Sequence, residues 1–308
     1  MKFDLTPYRA SRHMPVRMLT CMYRQQSRTQ SCPELPRLDG KTVLVTGGAA
    51  GVGEFISRGA MARGAKVISM SRGVSPGVDK LHGVQQIKCD LADLASVNNA
   101  VDQLNGQKVD ILFCNAGIAL REHKMAADNI EMTYAVNVLG HHLLYRLMLE
   151  RNLFTSQPRI VMTSGDAYVA NDECEANPLW SGMSKVYGGT KLGNLWQTFE
   201  LPKHFPEAHA TAVHPGVVMS GLGGLKLTGL AHWALSKMAI SEQQGAQASL
   251  IAATQDLPNG GYWHNVCGLM ELPKGDAALD SQKAAKLWDK LEELCQPYLQ
   301  TTYMNNTE

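Results

Sequence analysis

The sequence predicts an α/β fold, a doubly wound parallel sheet with helices on both faces, in a single domain covering residues 39–308. Three observations carry this. Short apolar runs alternate with segments of helical spacing, the rhythm of strand–helix–strand units. A glycine-rich turn, Thr46-Gly47-Gly48-Ala49-Ala50-Gly51-Val52-Gly53, follows the first of those runs. The 308 residues, 44% hydrophobic and 19% charged, suffice for one large buried core.

The elements follow in order. Residues 42–45 are a short apolar strand. Residues 55–63 have helical spacing and close on Gly64. Strands are expected at 66–70 and 84–89. Residues 94–104 form a helix that stops near Asn105-Gly106. Residues 109–114 are apolar apart from Asp110, and 130–149 read as a long apolar helix. Pro158 precedes a strand at 159–163. A helix finishes over 193–201 and stops at Pro202, because proline lacks the N–H that a helix interior needs. A strand at 210–214 runs into Pro215-Gly216. Ser241 and Glu242 open a helix over 243–254. Ser281 caps a last helix, with Ala284, Leu287, Trp288, Leu291 and Leu294 on one face and Pro297 after it. Right-handed crossovers between parallel strands complete the winding.

Composition excludes several function classes. A formal charge of +1 gives no general attraction to nucleic acid or anionic membrane. The seven cysteines include no Cys-x-x-Cys pair, which argues for a reducing compartment and against a disulfide framework or zinc site; no metal is expected. No apolar run reaches the ~18 residues of a transmembrane segment. The first 38 residues differ from the rest, with six arginines and Lys2 against Asp4 and Glu34, and prolines at 7, 15, 33 and 36. They read as a flexible extension of a cytoplasmic protein. The alternative is a mitochondrial targeting segment, since such segments are Arg-rich and poor in acids.

Two strings carry the chemistry. Gly47, Gly51 and Gly53 lie at a strand-to-helix junction, where small residues let a pyrophosphate approach backbone N–H groups and the positive end of a helix dipole. An acid about 20 residues on would select NAD through its ribose hydroxyl. This chain offers Ser69, Met70, Ser71 and Arg72 instead, and Arg72 can pair with a 2′-phosphate. The expected cofactor is NADP. The second string, Tyr187-Gly188-Gly189-Thr190-Lys191, puts a phenol and an ammonium on one helix face. A nearby ammonium lowers a phenol's pKa toward neutrality, making Tyr187 an acid/base tuned by Lys191. Tyr-x-x-x-Lys alone is a weak signal; its value lies in accompanying the glycine turn. Ser164, at the end of the strand 159–163, is placed to orient a carbonyl. His141 and His142 read as packing or surface residues rather than metal ligands, and His214 as shaping the turn before Pro215.

With these residues in place the chain resembles the short-chain dehydrogenases/reductases, most closely their retinol-dehydrogenase-like branch, from about Asp39 to the end. Thr46 to Gly53 is similar to that family's T-G-x-x-x-G-x-G turn. The resemblance implies a Rossmann fold. It implies cofactor contacts by Gly47, Gly51, Val52, Gly53, Arg72, Asp90, Leu91, Asn115, Ala116, Gly117, Tyr187 and Lys191, and by Pro215, Gly216, Val218 and Ser220 on the nicotinamide side. It implies catalysis by Tyr187, Lys191, Ser164 and Asn137, the last holding a water in a proton relay to Lys191. In one place the chain departs. The family ends its fifth strand with two serines, the second catalytic, whereas this chain reads Met162-Thr163-Ser164-Gly165. Strict register puts Gly165 at the catalytic position; either Ser164 serves after a one-residue shift, or the hydroxyl is missing.

The expected activity is NADP-dependent interconversion of a carbonyl and an alcohol on a small lipophilic molecule such as a retinoid, steroid or fatty aldehyde. Residues 221–240, rich in Leu and carrying Trp233, are the expected substrate lid. A non-catalytic nucleotide-binding regulator, or an epimerase or dehydratase that retains its cofactor, remain the alternatives. A homo-oligomer stays open.

Overall fold

The computed structural model describes residues 5–9, 21, 23–25, 27, 31–32, 36–73, 83–178, 180, 182–218 and 239–299. Its strands are β1 (Tyr8–Arg9), β2 (Thr42–Thr46), β3 (Lys66–Ser71), β4 (Gln85–Lys88), β5 (Val109–Cys114), β6 (Phe154–Thr163), β7 (His209–His214), β8 (Gly261–His264) and β9 (Gly268–Glu271). They form one sheet in the order β1-β9-β8-β7-β6-β5-β2-β3-β4. All neighbours run parallel except β8 and β9. The winding reverses between β2 and β5, and such a switch point opens a crevice at the carboxyl ends of the strands.

The pleat divides the core. Val43 and Val45 point to one face, where they join Ile56, Phe113, Val213 and Ile251. Leu44 points to the other, with Leu112, Leu143, Trp196 and Leu291. The first face is covered by α1 (Gly51–Met61) and α5 (Glu242–Thr254). The second carries α2 (Leu94–Asp102), α3 (residues 132–150), α4 (Met183–His204) and α6 (Ser281–Leu299). α3 runs through Met132–Tyr134, a π-helical stretch Ala135–Leu139, and Gly140–Glu150. Ser241 and Gln244 form the capping box that starts α5.

Several expectations are corrected. α4 does not stop at Pro202 but runs to His204. A proline in a last turn removes only one helical bond, and Phe205 N–H still closes the end on Leu201 O at 2.8 Å. Pro297 likewise lies inside α6. The cap of α6 is Asp280, whose Oδ1 accepts from Gln282 N and Lys283 N, rather than Ser281. The β8–β9 hairpin was not anticipated, because four-residue strands rich in Gly carry little pattern.

Of residues 1–38, the described ones make these contacts. β1 pairs with β9 and Leu5 packs on the first core. Gln25 Nε2 donates to Val217 O at 3.2 Å while its Oε1 accepts from Val217 N at 2.9 Å. Cys32 N–H donates to Gln247 Oε1 at 2.9 Å. Arginine content signals solvation of side chains, and it does not register an edge strand satisfied by backbone hydrogen bonds. No helix among the described residues is long and apolar enough to cross a membrane.

Candidate active site

β2 delivers the glycine turn to the crevice. Gly47 and Gly51 have φ of +65° and +58°, the left-handed region that L side chains avoid. A Cβ on Gly53 would collide with the Gly47 carbonyl oxygen, so only glycine lets α1 start this close to the strand. α1 begins at Gly51, and Ala50 at its N-cap supplies no side-chain acceptor. Its first N–H groups and dipole end are thereby presented without a competing side chain, which fits a dinucleotide pyrophosphate. Thr46 pins the neighbouring strand: its Oγ1 accepts from Asn115 N at 2.9 Å and Ala116 N at 3.0 Å, while Asn115 Nδ2 donates to Thr46 O at 3.0 Å. The Asn115-Ala116-Gly117 segment is thus fastened to the glycine turn across the switch point.

Arg72 lies just beyond β3, exposed, two residues past Met70, which pairs with Thr46. Asp90 turns the chain into α2, with its Oδ1 accepting from Ala92 N at 3.0 Å. Leu91 is buried, its carbonyl where a Cβ on Gly140 would have to sit.

The second cluster forms at the ends of β5 and β6. Lys191 is buried in α4, its Nζ 5.1 Å from the Tyr187 ring centroid and donating to Thr163 O at 3.0 Å. Gly117 faces it: a Cβ there would lie 3.3 Å from Asn137 Oδ1 and 3.7 Å from Lys191 Nζ. Asn137 occupies the π-helical stretch of α3, a local irregularity typical of functional positions. Its amide is fully engaged: Nδ2 donates to Ile118 O (2.9 Å) and Thr190 Oγ1 (3.0 Å), and Oδ1 accepts from Ile118 N (2.8 Å).

The electrostatics differ from the expectation in one respect. Burial lowers Lys191 to about 8, because a desolvated ammonium is costly. Burial also pushes the Tyr187 phenol up, opposite to the expected lowering. Tyr187 is half-buried.

Ser164 lies at the carboxyl end of β6 but does not face outward. Its Oγ donates to the main-chain carbonyl of Lys191 at 2.7 Å, and the residue is 2% exposed. Its hydroxyl is thus hydrogen-bonded to α4. Gly165, at strict register, follows with extended backbone (φ 168°).

Beyond β7, Pro215 and Val218 approach Val52 of the glycine turn from the other side, and a Cβ on Gly216 would meet Ile240 and Gln25. A Cβ on Gly245 would meet Val218 Cγ2 at 2.7 Å, Val52 Cγ2 at 3.3 Å and the Pro215 carbonyl at 3.6 Å, so these three border one spot. Asn265 Nδ2 donates to Pro215 O at 2.7 Å. Ser220 and nearly all of the expected lid, residues 221–238, lie outside the described residues.

Sequence reasoning missed Gln25, which holds both polar groups of Val217, and the buried set of Asp166, His214 and His264. Asp166 Oδ2 accepts from His264 Nε2 at 3.1 Å and lies 4.0 Å from His214 Nε2. An acid next to Gly165 was the available signal. His141 and His142 are buried; His141 Nε2 lies 2.9 Å from Thr46 Oγ1, and burial lowers its pKa to about 4.

A fold wound around a β2/β5 switch point, with a glycine turn and a Tyr-x-x-x-Lys helix at its crevice, defines a class of dinucleotide-dependent oxidoreductases. The short chain dehydrogenase family model matches residues 41–225, and the chain belongs to that family: it is an NAD(P)-dependent short-chain dehydrogenase/reductase. It is 31% identical to mouse "Retinol dehydrogenase 12" over 283 residues, 85% of this chain and 89% of the mouse protein. It is 30% identical to human "Retinol dehydrogenase 14", over 82% of this chain and 85% of the human protein. An uncharacterised Mycobacterium paratuberculosis protein of known crystal structure superposes with TM-score 0.69 at 27% identity, covering 87% of this chain and 98% of its own. A metagenomic blue fluorescent protein in complex with NADPH shares the fold, with TM-score 0.61 over 75% of this chain and 98% of its own, at 24% identity.

Proposed function

We propose that this enzyme uses NADP to interconvert a carbonyl and an alcohol on a lipophilic substrate. The observation that carries the reading is the gathering of Tyr187, Lys191 and Gly117 where β5 and β6 end, beside the glycine turn. Exposed Arg72, with no acid in 69–72, supports NADP over NAD. The retinol dehydrogenase names of the relatives, and the Leu-rich composition of 221–238 with Trp233, support an apolar substrate.

In this reading Gly47, Gly51, Val52 and Gly53 hold the pyrophosphate. Asp90, Leu91, Asn115, Ala116 and Gly117 line the adenine and central side, and Pro215, Gly216, Val218 and Ser220 the nicotinamide side. When bound, the dinucleotide supplies or takes up hydride. Tyr187 gives its phenolic proton to the carbonyl oxygen in reduction and recovers it in oxidation. Lys191, charged below about pH 8, stabilises the phenolate left behind. Asn137 keeps the Thr190–Tyr187 turn of α4 and Ile118 in register, and its place in the relay rests on the backbone, because its side-chain amide is engaged. Ser164 fixes the height of Lys191 on β6.

The test is NADPH oxidation against a panel of aldehydes and ketones, with products identified. Cofactor-coupled reduction that NADH supports less well agrees with the reading. Tight NADPH binding without turnover would favour a regulator. Product without net cofactor oxidation would favour an epimerase or dehydratase.

A further inference from the structure

The Pro215–Val218 segment follows β7 and lies outside every helix and strand named above, so partners for its backbone polar groups must come from other parts of the chain. Pro215 O accepts from Asn265 Nδ2 at 2.7 Å, and the same Nδ2 donates to Gln244 O, in the first turn of α5, at 3.1 Å. Val217 is held by one side chain. Gln25 Oε1 accepts from Val217 N at 2.9 Å, and Gln25 Nε2 donates to Val217 O at 3.2 Å. A single amide thereby supplies the paired donor and acceptor that a neighbouring strand would offer.

Gln25 is 1% exposed, a degree of burial that glutamine tolerates only when its amide is engaged. Gly216 leaves room for it: a Cβ there would stand 3.1 Å from Gln25 Oε1 and 2.8 Å from Ile240 Cδ1, and its φ of +95° is in the left-handed region. The segment that carries Gln25 is anchored a second time, four residues earlier, where Cys21 Sγ lies 3.6 Å from Cys267 Sγ. Cys267 is two residues beyond Asn265, so the partners of Pro215 and Val217 pack on each other as well as on the segment they hold.

Two relationships connect this arrangement to the cofactor crevice. Val218 Cγ2, Val52 Cγ2 and the Pro215 carbonyl border one spot, so whatever fixes Val217 also fixes how the segment lies against the residue after Gly51. Val217 O, besides its bond from Gln25, accepts from Ile240 N at 3.0 Å, and Val218 forms a parallel bridge with Ile240. The two ends of the stretch 219–238 are thereby joined at the residue that Gln25 holds.

We propose that Gln25 is a positioning residue for the reaction. It sets the Pro215–Val218 segment against the glycine turn and secures the base of the 219–238 stretch, which makes the N-terminal segment a working part of the active site. Gln25 precedes the family-matched region, which starts at residue 41. The proposal rests on the reading above in which Pro215–Val218 line the nicotinamide side of the cofactor. Gln25 acts only through Val217.

The experiment compares Gln25→Met and Tyr187→Phe in the full chain. Methionine keeps the length of the side chain and removes both amide hydrogen bonds. Calorimetry gives the affinity for NADPH and for adenosine 2′,5′-bisphosphate, the part of the cofactor that lacks nicotinamide. Gln25→Met weakens NADPH binding about tenfold, the worth of one to two net hydrogen bonds, and leaves adenosine 2′,5′-bisphosphate within about twofold. In NADPH-dependent reduction of the best aldehyde or ketone of the panel, kcat falls about tenfold or more, because small misplacements of reacting groups are costly. A general loss of structure would weaken both ligands together. A second measurement needs no variant: hydrogen exchange finds the Val217 amide protected in the wild type. Equal weakening of both ligands, unchanged NADPH affinity and kcat in folded Gln25→Met, or a Val217 amide that exchanges freely in the wild type would each overturn the proposal. If Tyr187→Phe keeps wild-type kcat, the carbonyl-reductase reading itself falls, and the split between the two ligands still decides the Gln25 assignment. If Tyr187→Phe is inactive and Gln25→Met is unimpaired, only the Gln25 assignment falls.

Discussion

Ser164 Oγ donates to the main-chain carbonyl of Lys191 at 2.7 Å. The bond crosses from the end of β6 to the middle of α4, and with Lys191 Nζ on Thr163 O it closes a reciprocal pair between strand and helix. Ser164→Ala removes one half of that pair. It is expected to lower unfolding free energy by about 1 kcal/mol. It is expected to reduce kcat less than loss of the Tyr187 hydroxyl does. Chemical denaturation and steady-state rates on the same preparation check both; a kcat loss equal to that of Tyr187→Phe would give Ser164 the role of carbonyl donor.

Tyr187→Phe deletes the proton donor and little else. General acid catalysis contributes about 10²- to 10⁴-fold, so kcat should fall by that range while NADPH affinity changes less than about twofold. Comparison of single-turnover rates with a fluorescence titration separates the two effects.

The pH profile follows from Lys191. Burial holds its pKa at about 8, so it is charged at neutrality and neutral above that value. Carbonyl reduction should be flat near pH 7 and decline as pH rises through about 8, because the positive charge stabilising the phenolate is lost. Alcohol oxidation, which needs the phenol deprotonated, should instead be slow near neutrality, since burial raises the Tyr187 pKa. Rate profiles in both directions between pH 6 and 10 test this, and a reductase rate that climbs through that range would contradict it.

Arg72→Ser removes the cation at the end of β3. A charge-assisted pair with a 2′-phosphate is worth roughly 1.5–3 kcal/mol, so kcat/KM for NADPH should fall about 10- to 100-fold with little change for NADH. Equal losses for both cofactors would show that Arg72 does not read the phosphate.

Glu292 predicts an acid-sensitive step in stability. Burial alone would raise its carboxyl, but hydrogen bonds from His142 Nε2 (2.7 Å) and Arg146 Nε (2.6 Å) outweigh this and hold it at about 2. A depressed carboxylate stabilises the fold above its unfolded pKa, and that stabilisation is lost as pH falls toward the folded value. Between pH 5 and 3 the wild type should therefore lose about 2 kcal/mol more than Glu292→Gln, read from urea midpoints at each pH.

Much of this was legible in the residues. The β2–α1 turn could be placed because positive φ and close approach both require glycine, and Tyr187 and Lys191 because four residues is one helical turn. The Ser164–Gly165 ambiguity was visible too, but which way the hydroxyl points depends on how α4 packs against β6, and no local pattern encodes that. The docking of Gln25 on Val217 was hidden for a related reason: it joins segments 192 residues apart through one amide, in a stretch whose composition signals only charge. Asp166, His214 and His264 likewise come from three separate elements and meet only once β6, β7 and β8 are side by side.

The central claim is that Tyr187 and the dinucleotide meet at one carbonyl. The most direct measurement supplies NADPH deuterated on the transferring face of C4, with an aldehyde or ketone that the enzyme turns over, and locates the label by mass spectrometry in wild type and Tyr187→Phe. The account predicts one deuterium on the carbinol carbon of the wild-type product and a rate about 10²-fold or more lower in the variant. Unlabelled product, or labelled product formed equally fast without the phenol, would contradict it.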